Sequence, residues 1–230
     1  MADPARRHRE AMRAALPLAL AVGGFGVSFG VLARSAGMGA VAPIVMSVTT
    51  FGGSAQFAAA TVLGAGGSAA AAITAALMLN TRYLPIGVSV APSLTGGVWS
   101  RLLHAHLTVD ETWALAAEGD GRYSQHLILV SGALLGGAWL VGTAIGVSFD
   151  ELLSDPGRLG LDAAFPALFL ALLGPQLRRS GPGVRSTRPA IAAVIGAAIA
   201  LSLTPFLPAG LPIVAAGLAC LLGLRREEAA

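Results

Sequence analysis

Residues 35–81 read SAGMGAVAPIVMSVTTFGGSAQFAAATVLGAGGSAAAAITAALMLNT, and none of them is charged. A helix crosses the bilayer core in about 20 apolar residues, so this run is long enough for two crossings. Other charge-free runs cover 15–33, 83–100, 123–149, 163–177 and 189–224. The runs 15–33 and 123–149 each fit one crossing, and Leu159 to Leu161 can lengthen the short run 163–177. The run 189–224 is interrupted by Pro205, Pro208, Gly210 and Pro212 and reads as a helical pair. The expected fold is all-α: a polytopic helical membrane protein of about 6–8 membrane segments, some of them short or broken.

Composition points the same way. Of 230 residues, 55% are hydrophobic and 12% charged, and mean hydropathy is +0.73. A soluble surface needs roughly a quarter charged residues, so a soluble enzyme is excluded, as is a disordered chain. The pI near 10.0 suggests nucleic acid, but the net charge is only +3 and all 15 basic residues are Arg. Their positions read as topology. Arg6, Arg7, Arg9 and Arg13 precede the first span, Arg178, Arg179, Arg185 and Arg188 share a loop, and Arg225 and Arg226 follow the last span. Asp150, Glu151, Asp155 and Asp162 instead crowd around Arg158. The positive-inside rule places the N-terminus in the cytoplasm and the acidic loop outside. Parity then asks for two short segments, about 68–80 and 83–95, meeting near Arg82, since a single kinked helix there would break the rule elsewhere; Trp99 reads as an interfacial anchor. The Arg-rich start followed by an apolar run also resembles a signal peptide, but its length and the spans that follow favour a first transmembrane helix. Cys220 is alone, so no disulfide or Cys-based metal site forms within the chain.

An internal repeat is expected at an offset of about 120 residues, a spacing at which transporter halves recur. Gly26-Val27-Ser28-Phe29 returns as Gly146-Val147-Ser148-Phe149, and Gln56, Pro85 and Pro92 meet Gln176, Pro205 and Pro212. The halves would be 14–95 and 126–224, parallel by their Arg placement, with 96–125 as linker. Chance matches in so Ala-, Gly- and Leu-rich a chain compete with this reading. Gly26/Gly30, Gly132/Gly136 and Gly142/Gly146 have the spacing that lets membrane helices approach closely, and packing is their expected role.

Four polar islands interrupt the apolar runs. In Thr49-Thr50-Phe51-Gly52-Gly53-Ser54-Ala55-Gln56-Phe57, paired glycines weaken a helix at membrane depth. That pattern reads as a broken helix whose amides, with Ser54 and Gln56, hold a ligand, or as a kink whose Gln56 bonds a neighbour. In Asn80-Thr81-Arg82-Tyr83, Arg82 is the only charge between Arg34 and Arg101. A guanidinium at that depth faces protein, water or a ligand carboxylate, unless it snorkels from a short loop. Around His104, His106, Asp110 and Glu111 no zinc spacing is present, and Thr108 with Glu111 reads as a capping box for a helix ending near Ala117. Asp162 before Pro166 reads as a helix entry or a proton site. No nucleotide fingerprint occurs.

These islands, in this order, resemble the AzlC family, the large subunit of bacterial branched-chain amino acid exporters. The resemblance rests on Phe51 to Phe57, on Asn80 to Tyr83 with Gly87, on Leu107 to Thr112 and on Phe165 to Phe169, within residues 14–224. Two departures stand out: Tyr83 replaces the family's usual histidine, and Val109 is inserted before Asp110. The resemblance implies export of leucine, isoleucine or valine across the bacterial inner membrane, with a small AzlD-type subunit and no cofactor. A zwitterion needs partners for its carboxylate and ammonium and an apolar pocket. Gly52, Gly53, Ser54, Gln56, Asn80 and Arg82 are the substrate-binding candidates, and Asp110, Glu111 and Asp162 the proton-coupling candidates. Without ATP machinery, transport is expected to be secondary. Two other readings compete: a membrane-embedded metal-dependent hydrolase using His104, His106, Asp110 and Glu111, and a non-transporting assembly subunit.

Overall fold

The computed structural model describes residues 4–119, 121–148, 188–207 and 211–217. Two helices are long and apolar enough to cross a bilayer: the Ala11–Ser35 part of α1 (Pro4–Ser35) and a later helix, Gln125–Ser148, each with mean hydropathy 1.9. Between them the chain forms α2 (Val41–Thr49), α3 (Gly53–Gly64), α4 (Ala69–Asn80), α5 (Tyr83–Val90), α6 (Val98–His106) and α7 (Asp110–Ala116). A short ribbon of β1 (Ala117–Gly119) and β2 (Arg122–Tyr123) then leads into Gln125–Ser148, labelled α8. Two more helices follow, α9 (Arg188–Leu203) and α10 (Leu211–Ala216). The stretch 96–125, expected as a linker, thus contains two helices and a ribbon.

Helices α1 and α8 pack against each other more extensively than any other pair. The glycines read from the sequence make this possible. A Cβ at Gly26 would lie 2.5 Å from the Trp139 carbonyl oxygen, and one at Gly30 equally close to that of Thr143. Gly142 and Gly146 answer from α8, where a side chain would collide with the backbone of Gly23 and Val27. Gly132 instead makes room for Leu107, and Gly136 faces the Phe51 ring.

The short helices come in three broken pairs. Between α2 and α3, Phe51 adopts φ +38 and Gly52 leaves the helical region at φ −134, ψ 80, as the paired glycines predict. Between α4 and α5 the break falls at Thr81–Arg82, but both residues keep helical dihedrals. These helices therefore run end to end and do not fold back beside each other as two separate passes. Pro85 explains the break: it has no N–H for the Thr81 carbonyl, which accepts from Leu84 instead. At 1.5 Å per residue, Ala69–Val90 is about 33 Å long, close to one bilayer core.

The third break, between α6 and α7, differs from the expected capping box. Thr108 Oγ1 donates back to the His104 carbonyl, and the extended Val109 takes the N-cap position. Thr112 Oγ1 accepts from the Val109 N–H at 2.8 Å and donates to the Leu107 carbonyl. The helix thus starts one residue later than a Thr108 cap would place it, with Asp110 its first residue and Glu111 its second.

Bulky apolar side chains cover the outside: Leu20 is 81% exposed, Val88 75% and Val141 59%. Water would not tolerate so extensive an apolar exterior, whereas lipid suits it. The fold is a polytopic helical membrane protein. The centre is closed by Phe29 stacked on Trp139 at 5.7 Å, with Phe57 edge-on to both.

Candidate functional site

All three helix breaks meet at one cavity. Phe51, Gly53 and Ser54 come from the first, Arg82 and Tyr83 from the second, and Val109, Asp110 and Glu111 from the third. Val22 and Phe25 of α1 and Leu135 and Trp139 of α8 complete an apolar wall. Its volume is about 60 Å³, room for a few water molecules. Beyond Tyr83 lies a wider, mostly apolar hollow of about 460 Å³, bordered by Ile86, Val90, Leu94 and Leu102.

Arg82 is half-buried and lies at the centre of the polar side. Its Nη2 contacts Asp110 Oδ2 at 3.0 Å, Ser54 Oγ at 2.9 Å and the Tyr83 hydroxyl at 3.1 Å. Its Cζ lies 5.0 Å from the Tyr83 ring centroid, a cation–π distance. Nη2 has two protons for three acceptors, while among the described residues the buried Nε has no partner. At the start of α3 the N-cap residue is Gly52, which has no side chain to cap the first N–H groups, and Gly53 and Ser54 line the cavity. A helix N-terminus presents amide donors and positive potential to an anion.

Behind the Trp139 wall lies a second, fully buried network. Trp139 Nε1 and Gln56 Nε2 both donate to Ser47 Oγ at 3.1 Å. Thr143 Oγ1 donates to the Trp139 carbonyl, so at its 3.0 Å contact with Ser47 it must accept. Both hydroxyl protons are then assigned, and the Gln56 amide can only turn its nitrogen to Ser47. Its Oε1 is buried and has no partner among the described residues.

Of the sequence-predicted substrate residues, Gly53, Ser54 and Arg82 line the cavity. Gly52 and Asn80 pack on each other: a Cβ on Gly52 would meet Asn80 Oδ1 at 3.2 Å, and that oxygen is buried with no partner among the described residues. Gln56 belongs to the Ser47 network instead of the cavity wall. Asp110 and Glu111 line the cavity, while Asp162 lies outside the described residues. His104 turns Nδ1 to the carbonyl of Ser100 in its own helix at 2.7 Å, and His106 lies beside the Phe51 ring. Among the described residues, no three His, Cys, Asp or Glu side chains group to hold a metal. The sequence reading missed Trp139, Ser47 and Thr143. The available signal was a Trp in mid-span, away from the interfaces where Trp ordinarily sits.

The relatives that this chain matches are membrane proteins and a transport protein. The chain is 28% identical over 172 residues to the branched-chain amino acid transport protein AzlC of Bacillus subtilis, covering 70% of this chain and 66%, just under two thirds, of that one. It is 30% identical over 217 residues to an uncharacterized membrane protein of Archaeoglobus fulgidus, covering 92% and 91% of the two chains. An uncharacterized membrane protein of Helicobacter pylori is 26% identical over 158 residues, covering 67% of this chain and 69% of that one. No solved structure matches. The AzlC protein family model matches residues 17–153, which include α2 to α8 and all three helix breaks. More than half of the chain fits that model, and this integral membrane protein belongs to the AzlC family, with a role in membrane transport.

Proposed function

We propose that this chain is the large subunit of a secondary transporter that exports hydrophobic, branched-chain amino acids across the bacterial inner membrane, together with a small AzlD-type subunit. The observation that carries this reading is the convergence of three helix breaks on Arg82, Asp110 and the uncapped start of α3. Irregular backbone at membrane depth is tolerated only where it is buried or lines a cavity, and broken helices are the usual scaffold of transporter sites. A substrate carboxylate fits Arg82 and the α3 amides, and the aliphatic part fits the wall of Val22, Phe25, Leu135 and Trp139. The small volume describes a closed conformation that must widen to admit leucine. Proton coupling, where it occurs, falls to Asp110 and Glu111 among the cavity residues.

Each broken pair counts as one crossing in this reading. With α1 and α8 that makes five between the N-terminus and residue 149, so the two ends lie on opposite sides. This parity keeps the Arg-rich N-terminus cytoplasmic and the acidic loop outside. A metal-dependent hydrolase would need His104 and His106 beside the two carboxylates, but neither imidazole lines the cavity.

The test is counterflow of labelled leucine in proteoliposomes holding the chain, with and without its small partner, with and without a pH gradient. Wild-type protein is expected to exchange leucine, and Arg82→Ala to lose at least about 90% of that flux, since charge-assisted carboxylate bonds are the strong ones. Normal flux in Arg82→Ala would remove Arg82 from the mechanism.

A further inference from the structure

We propose that the Arg82–Asp110 ion pair is a ligand-free lock into which an α-amino acid inserts, carboxylate to Arg82 and ammonium to Asp110. This rests on the transport site proposed above and specifies how that site reads the two charges of its substrate.

The geometry of the guanidinium carries the argument. Its side-on fork, formed by Nε and Nη2, grips a carboxylate with two parallel hydrogen bonds. Here the fork is half used: Asp110 Oδ2 meets Nη2 at 3.0 Å, and among the described residues the buried Nε has no partner. Nη2 meanwhile serves Ser54 and the Tyr83 hydroxyl as well, three acceptors on two protons. Asp110 is therefore held by a crowded, single-point contact that a fork-binding carboxylate outcompetes. Asp110 belongs to a separate helix break, as the first residue of α7.

Once displaced, its carboxylate would be a charge in a cavity walled largely by apolar groups, with Arg82 committed to another anion. An isolated charge in such a place is costly. The ammonium of an α-amino acid sits one carbon from its carboxylate, so a substrate seated on the fork delivers a cation beside Asp110. Both charges of the pair are then re-partnered by one ligand. An anion lacking an ammonium would strand Asp110, and an amine lacking a carboxylate would leave the lock closed.

The full-length protein in lipid nanodiscs tests this with three probes: leucine, 4-methylpentanoate, which lacks the ammonium, and 3-methylbutylamine, which lacks the carboxylate. Wild-type protein is expected to bind leucine at least about 30-fold more tightly than either single-charge analogue, because each leaves one partner of a desolvated pair unmatched. Asp110→Asn is expected to lose at least about 30-fold in leucine affinity while holding 4-methylpentanoate as tightly as wild type or better, since the fork is vacated and the Asp110 charge is gone. Retained 4-methylpentanoate binding also shows that the variant is folded. Equal binding of leucine and 4-methylpentanoate by the wild type overturns the lock, and so does parallel loss of both, or of neither, in Asp110→Asn. If the variant does not fold, the wild-type probe series decides alone. A wild type that binds none of the three probes overturns the transport site as well.

Discussion

The hydroxyl of Ser47 serves three partners at once: it accepts from Trp139 Nε1 and from Gln56 and donates to Thr143. No water reaches this position, because Gln56 and Thr143 are fully buried and Ser47 and Trp139 nearly so. Ser47→Ala would remove the hub and leave two donors and one acceptor without partners. Such groups cost about 1–3 kcal/mol each when buried, reduced in a bilayer by the partners an unfolded helix also finds. The expected outcome is a loss of about 1–3 kcal/mol, read as a lower melting temperature in detergent. An unchanged melting temperature would show that the network contributes nothing to stability. The sequence displayed Gln56 and Arg82 because polar groups stand out in an apolar run. It hid Ser47 and Thr143, since small hydroxyls commonly satisfy themselves on their own helix.

At the scale of the helix, the α1–α8 crossing depends on where glycine is indispensable. Gly30 faces the Thr143 carbonyl so closely that an added methyl must push the helices apart, whereas Gly24 and Gly137 have nothing within 4 Å. Gly30→Ala should cost about 1–3 kcal/mol by overpacking. Gly24→Ala and Gly137→Ala should instead stabilise by up to about 1 kcal/mol, through the helix preference of alanine. Opposite shifts in melting temperature check the pair, and equal shifts would contradict the crossing. Two of the helix breaks were legible because their causes are local: Gly52-Gly53 for one, and Pro85 after Arg82 for the other. The third was only half legible. Val109 has no polar side chain to announce a cap, and the cap arises from Thr112 reaching backwards. The end-to-end run of α4 and α5 was likewise hidden, because a Pro-containing junction reads equally as a bend or a turn.

For the whole molecule, charge patterning alone gave the class, since scarce charges can only mean an exterior in lipid. That three breaks 30 residues or so apart should meet around one guanidinium does not follow from any local pattern; it depends on how α1 and α8 gather the short helices between them. The central claim is that this meeting point is where the amino acid binds. It is tested most directly by labelling a thiol introduced in the cavity wall, in a Cys220→Ser background, with a membrane-permeant maleimide. Val22→Cys lines the cavity and Ala40→Cys, exposed just before α2, lies outside it. Leucine should slow labelling at Val22→Cys several-fold and leave Ala40→Cys unaffected. If saturating leucine, shown to exchange through the same preparation, leaves the labelling rate at Val22→Cys unchanged, the amino acid binds elsewhere and the account is wrong.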